Sequence, residues 1–225
     1  QTPNPKPQTP NPKPRFKRGV ATRGEARGWK KGVSGYKQQM EIVGAEKTIA
    51  EFLSKPYFYT LQDHLPTRKK QLSMWASLTL SEFHKKAVKE SSRSKLESDG
   101  FALYNNAAIR RRLGKEFIAL VLQELVQARK IEFRDAGKDQ FFIFDVSIDE
   151  IADSMHKWAR STGSLGKIET FIFLATDEDL KGNAFWGYPE EVLLKAAKIL
   201  EKAGKAELFD MGGKSNPTEM GIKFK

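Results

Sequence analysis

Apolar residues along this chain recur in two periods, three-to-four and two, and the order of the periods repeats. Ile42, Ala45, Ile49 and Phe52/Leu53 predict a short helix over 38–54, which Lys55-Pro56 ends. After Tyr57, Phe58 and Tyr59, Pro66-Thr67 offers a helix start. Leu72, Trp75, Ala76, Leu80, Phe83 and Ala87 then predict a long helix over 67–90. Residues 91–100 read as a polar loop, and Asn105 and Asn106 as caps of a short helix reaching Leu113. Gly114 breaks that helix. Phe117, Ile118, Val121, Leu122 and Leu125 mark an amphipathic helix over 115–129, and 130–134 and 140–144 read as strands joined by a turn at 135–138.

The order then recurs. Ser147 and Glu150 have capping-box spacing ahead of Ile148, Ile151, Met155 and Trp158. Residues 167–175 are apolar and β-branched, a short strand passing into a short helix. Pro189 starts a helix on Val192, Leu193, Ala196, Ala197 and Leu200, and strands at 205–210 and 221–225 follow. An offset of 75 superposes the halves: Leu125/Leu200, Ala128/Ala203, Lys130/Lys205, Glu132/Glu207, Asp135/Asp210 and Gly137/Gly212 are identical, six of thirteen positions from 125 to 137. Helix, short helix, amphipathic helix and β-hairpin is the winged-helix order. The expected fold class is α+β, mostly α: two tandem winged-helix domains at 67–146 and 147–225. Ahead of them come a basic Pro/Gly-rich arm, 1–37, and a short helix with an aromatic-proline linker, 38–66.

Charge adds a second theme. Of 225 residues, 39 are Lys or Arg and 28 are Asp or Glu, a net charge of +11. Ten of the bases and one acid, Glu25, fall in 1–37, so the rest is nearly neutral. The arm opens with a tandem repeat, QTPNPKP at 1–7 and 8–14, whose prolines exclude helix and sheet and favour polyproline II. Arg15, Lys17, Arg18, Arg23, Arg27, Lys30 and Lys31, interleaved with Phe16, Trp29 and Tyr36, suit an RNA or other anionic surface: cations neutralise phosphate and rings stack on bases. Arg110, Arg111 and Arg112 form a second basic cluster, for an acidic protein, lipid or RNA.

Catalytic chemistry is not legible. With no cysteine, disulfides and thiolate chemistry are excluded, and three well-separated histidines (His64, His84, His156) make no local metal motif. Met211-Gly212-Gly213-Lys214-Ser215 lacks the first glycine of a phosphate loop and sits between strands, so it reads as a hairpin turn. Asp177, Glu178 and Asp179 read as a solvated loop. The longest apolar run, near Phe141 to Phe144, is far short of the ~18 residues that cross a bilayer. The expectation is a binding protein, not an enzyme, with no cofactor, no metal and no small-molecule substrate. The third helices are poor DNA readers, since Glu190 and Glu191 open the second and would repel phosphate.

The series Pro56-Tyr57-Phe58-Tyr59-Thr60-Leu61-Gln62, Thr67-Arg68-Lys69-Lys70-Gln71-Leu72, Trp75, Leu103-Tyr104-Asn105-Asn106, Arg111-Arg112-Leu113, Leu122-Gln123-Glu124-Leu125, Trp158 and Gly221-Ile222-Lys223-Phe224 resembles the vacuolar protein-sorting-associated protein 25 family, the small ESCRT-II subunits, over about 56–225. The resemblance implies a rod of two winged helices. It implies that the aromatic-proline motif, here Pro56, Tyr57, Phe58 and Tyr59, docks on the two larger winged-helix subunits. It also implies that the second winged helix recruits an ESCRT-III subunit in multivesicular-body sorting, in the cytoplasm at the endosome. The family pattern has two prolines before two phenylalanines; Tyr57 replaces the second proline and Tyr59 the second phenylalanine. The three rings are expected to stand clear of the first domain's core. The arm has no counterpart in that family and supports a rival reading: a winged-helix structural subunit of a large ribonucleoprotein, such as a ribosome of the mitochondrion or another organelle, with RNA and ribosomal proteins as partners.

Overall fold

The computed structural model describes residues 49–210 and 220–225. The chain divides into two compact units, 1–52 and 53–225. Of the first, only 49–52 are described, and they are helical. The rest of the expected 38–54 helix, the arm and the glycine-rich segment 211–219 lie outside the described residues.

The second unit holds two winged helices in sequence. The first is built from α1 (Leu65–Lys85), β1 (Glu90–Ser92), α2 (Arg93–Glu97), α3 (Lys115–Gln127), β4 (Ile131–Phe133) and β5 (Gln140–Ile143). Between α2 and α3 lie β2 (Asn105–Asn106), a 3-10 turn (Ala107–Ile109) and β3 (Arg111–Arg112). The second repeats the order with α4 (Ile148–Thr162), β6 (Ile168–Thr170), α5 (Phe171–Thr176), α6 (Glu190–Lys202), β7 (Ala206–Asp210) and β8 (Met220–Phe224). Each half carries a three-stranded antiparallel sheet, ordered β1-β5-β4 and β6-β8-β7.

The 75-residue offset is physical as well as textual. Helices α3 and α6 begin and end at positions 75 apart. Lys130 N–H bonds the Leu125 carbonyl at 2.9 Å, and Lys205 N–H bonds that of Leu200 at 2.9 Å. Both helices therefore close with the same six-to-one bond through a left-handed residue, Arg129 at φ 55° and Gly204 at φ 70°. The capping box at Ser147 forms as expected, with Glu150 N–H to Ser147 Oγ at 3.2 Å and Ser147 N–H to Glu150 Oε2 at 2.9 Å.

Four expectations need correction. The long helix spans Leu65–Lys85, not 67–90, because Ala87 turns left-handed at φ 50° and Val88 N–H bonds back to the Phe83 carbonyl. Its buried stripe includes Gln71 and Thr79, while Ala87 is exposed. The short second helix of the first half is α2, inside the segment read as a polar loop; one buried leucine, Leu96, anchors it, and Ser92 Oγ accepts from Lys95 N–H. The helix expected from Asn105 to Leu113 is a two-stranded ribbon around a 3-10 turn, with Asn105 opposite Arg112 and Asn106 opposite Arg111.

The wing of the first half is braced from α2. Asp139 accepts from Ser94 N–H at 2.9 Å and Ser94 Oγ at 2.8 Å. The Ser94 backbone bond is the largest of the influences that hold its carboxyl below the usual aspartate range. A group with a lowered folded value adds stability above its unfolded value, about 3.9, that is lost as pH falls through the folded one. Asp139→Asn is therefore expected to be less stable than the parent at pH 6, with the gap closing below pH 3. Thermal melts of both proteins across that range check this, and a gap independent of pH rejects it.

Candidate functional site

The segment read as a docking motif is a 3-10 turn, Pro56–Tyr59, laid on the first winged helix. Its rings divide. Phe58 and Tyr59 are 4% and 5% exposed, while Tyr57 is 58% exposed and Pro56 is also at the surface. The expectation that all three rings stand clear of the domain is thus corrected for two of them. Phe58 stacks on Trp75 with centroids 4.7 Å apart, and Tyr59 meets Trp75 edge-on at 5.2 Å. Burying two rings removes roughly 300 Å² from water, a gain of the same order as the entropy lost in ordering a four-residue turn.

Polar side chains fix the turn. Trp75 Nε1–H donates to the Phe58 carbonyl at 3.1 Å, and Gln71 Nε2 donates to the Phe58 and Thr60 carbonyls at 2.9 Å each. Gln62 Nε2 donates to the Tyr57 carbonyl at 3.1 Å, and Arg68 Nε donates to the Gln62 carbonyl at 2.6 Å. Asn106 Nδ2 reaches the Tyr59 hydroxyl at 3.2 Å and the Leu53 carbonyl at 3.0 Å. Burial, offset in part by the Asn106 bond, raises the Tyr59 hydroxyl above the ordinary tyrosine range. Gln62, Arg68, Gln71 and Asn106 thus hold the motif, a role that the sequence reading did not assign. The available signal was Gln71: a glutamine one turn before Trp75 on a buried stripe needs partners.

Strand β3 lies against this turn. Of the basic cluster, Arg112 is engaged by the Glu97 carbonyl and by Asp99 at 2.7 Å. Arg110, left-handed at φ 51°, and Arg111 are exposed. The structure therefore brings Arg111 near the Pro56–Tyr59 turn but does not assemble three free cations. Arg15, Lys17, Arg18, Arg23, Arg27, Lys30 and Lys31 lie outside the described residues.

The other singled-out polar groups serve the fold. His84 Nε2 is 2.9 Å from Asp145, which also pairs with Lys89. His156 Nε2 lies 3.1 Å from the Lys225 carbonyl. Asp177 caps the 3-10 turn Glu178–Leu180 by accepting from Asp179 N–H. Among the described residues no cluster of three or more His, Asp or Glu is placed to hold a metal ion, and no helix is long and apolar enough to cross a membrane.

Fold and site together define a tandem winged-helix protein whose N-terminal aromatic-proline turn is mounted on its first module. A profile of the ESCRT-II complex subunit family matches residues 52–189, and the chain belongs to that family. It is 34% identical over 169 residues to the human vacuolar protein-sorting-associated protein 25, covering 75% of this chain and 92% of that one. The Xenopus laevis protein of the same name is 32% identical over 169 residues, with 93% of it covered. Among solved structures, the crystal structure of subunit VPS25 of the endosomal trafficking complex ESCRT-II superposes with a TM-score of 0.64 at 23% identity. It covers 77% of this chain and 96% of that one. A chain of the crystal structure of the endosomal complex ESCRT-II (VPS22/VPS25/VPS36) also superposes, with a TM-score of 0.64 at 22% identity. These likenesses cover the folded body and support the ESCRT-II reading; none supports the ribonucleoprotein reading or an organellar location.

Proposed function

We propose that this chain is a non-enzymatic adaptor, the small subunit of an ESCRT-II complex that works in endosomal protein sorting on the cytoplasmic side of the endosome. Its partners are two larger winged-helix subunits, counterparts of VPS22 and VPS36, and an ESCRT-III subunit. The domains are the arm 1–37, the linker region 38–66 and the winged helices 67–146 and 147–225. The observation that carries the reading is the split of the aromatic-proline turn. Phe58 and Tyr59 are its mount, and Pro56 with Tyr57 is the tip presented to a partner's groove. A pre-ordered turn loses little entropy on docking, and an exposed tyrosine is a typical interface anchor. Arg111 beside the turn suits an acidic rim on the partner groove. On the second winged helix, Ile168 and Ile172 are each 51% exposed and supply apolar surface for the ESCRT-III subunit.

The test is co-expression of the full chain with the two larger subunits. Tyr57→Ala is expected to melt within about 1 °C of the parent yet bind at least ~30-fold more weakly, as loss of a hot-spot ring worth about 2 kcal/mol does. Undiminished assembly of Tyr57→Ala rejects the tip as the anchor.

A further inference from the structure

The outer face of α3 and the wing beside it form a groove of about 520 Å³ that shares no residue with the Pro56–Tyr59 turn. Ala119, Leu122, Gln123, Val126 and Gln127 line it from the helix and Phe133 from β4; Leu122, 1% exposed, is the floor that the groove shares with the core. Val126 is 38% exposed, a large apolar side chain left uncovered where a helix would normally be polar. Positions 119, 122 and 126 lie on one face of α3, so the apolar stripe runs about 10 Å at 1.5 Å per residue, two helical turns.

The charged residues that line the groove itself have one sign. Arg93 and Lys138 line the groove, and no acid does. Arg129 joins Val126 and Phe133 in the adjoining hollow, which also holds Asp149 and Glu132, the latter paired with Lys195. Arg93 is paired with Glu97 at 2.6 Å, whereas Lys138 and Arg129 form no ion pair with any described residue. The acids flanking Lys138 are turned to the wing: Asp135 caps the turn through Asp139 N–H and Gln140 N–H, and Asp139 holds Ser94. Both free cations occupy left-handed backbone, Arg129 at φ 55° and Lys138 at φ 54°. That conformation favours glycine, and the second half uses glycine at the position equivalent to Arg129, Gly204. A cation stands there at a backbone cost that the fold itself does not require.

We propose that this groove is a second docking surface, which takes an acidic amphipathic helix from a protein partner. Two turns of apolar stripe between a helix and a wing match the i, i+3/i+4, i+7 anchors of a helix laid in a groove, and the cations meet acids on its polar face. Nucleic acid is disfavoured because the floor is apolar and Glu116 opens α3.

The test uses the full chain and two libraries of displayed 16-residue helical peptides. Both carry leucine at the i, i+4, i+7 positions; one has Asp/Glu and the other Lys/Arg on the polar face. The acidic library is expected to yield binders, and the basic one none. Val126→Glu is expected to weaken the selected peptides at least tenfold. Arg129→Gly and Lys138→Glu should each weaken them three- to fivefold, less so at high salt. Arg129→Gly should leave the melting temperature unchanged or raised, which separates a binding role from a folding one. No enrichment, enrichment of the basic library, binders indifferent to Val126→Glu, or duplex DNA competing for the groove would each overturn the proposal.

Discussion

Trp75→Ala is expected to cost about 3–5 kcal/mol of folding free energy, the range for removing a large aromatic side chain from a core. Trp75 is 0% exposed and packs against Phe58, Tyr59, Tyr104 and Phe117, with centroids 4.7–6.3 Å apart. Alanine would leave a cavity bounded by four rings that cannot collapse together, because three sit on separate elements fixed by their own hydrogen bonds. The substitution also removes the indole donor to the Phe58 carbonyl, leaving Gln71 alone to hold it. The Pro56–Tyr59 turn should therefore loosen before the domain unfolds, and complex formation should fail along with stability. Urea titration followed by circular dichroism measures the first effect and co-purification the second. A loss below about 1 kcal/mol would sink Trp75 as the centre of this core.

Phe142→Ala is expected to cost a similar amount, about 3–5 kcal/mol, and to change the shape of the transition as well. Strand β5 alternates its side chains. Phe141 faces the first winged helix, 6.2 Å from Phe83 and 6.0 Å from Phe133. Phe142 and Phe144 face the other way and belong to the cluster of the second half, with Met155, Tyr188 and Val192. Polar contacts surround this junction. Arg134 and Lys195 lie over the Phe142 ring at 5.7 and 5.3 Å, and pair with Glu191 and Glu132 across the two halves. The Glu191 bond is the leading reason that the Arg134 guanidinium is held above its ordinary range. The Tyr188 hydroxyl accepts from Asp145 N–H at 3.0 Å, and the Lys89 ammonium sits 4.4 Å from the Tyr188 ring centroid. The two winged helices thus share one apolar seam, and the parent should unfold in one transition. Calorimetry of Phe142→Ala should resolve two, whereas Phe141→Ala, equally buried, should lower stability and keep one. A single transition in both variants would remove Phe142 as the coupling residue.

Much of this architecture was written locally. Helices α3 and α6 each bury five apolar side chains at helical spacing, and the capping box at Ser147 satisfies orphan donors with residues three apart. The halves were visible as a repeat because the helix end and the strand after it need the same closing bonds. The corrected elements share the opposite property. Strand β1 is Glu-Ser-Ser, with no strand pattern; it exists because Glu90, Ser91 and Ser92 pair with β5, fifty residues on. Helix α2 is a single turn whose one buried side chain, Leu96, carries no period to detect.

The Pro56–Tyr59 turn divides along the same line. That Pro56 to Tyr59 forms an aromatic-proline cluster was legible from its composition and from its resemblance to a known family. Which rings face outward was not. Periodicity gives a residue's phase within its own element, and a four-residue turn has too short a phase to read. Phe58 and Tyr59 are buried because Trp75, Gln71 and Asn106, 12 to 48 positions away in the chain, offer them a ring face and hydrogen bonds. The sequence by itself determined the long helices, the strands that follow the third helix of each half, and their repetition, since those rest on contacts within a few residues. Only the tertiary structure decided that Phe58 and Tyr59 are buried while Tyr57 is exposed, and that Phe142 belongs to the far half, since those rest on surfaces that meet only when the chain is folded.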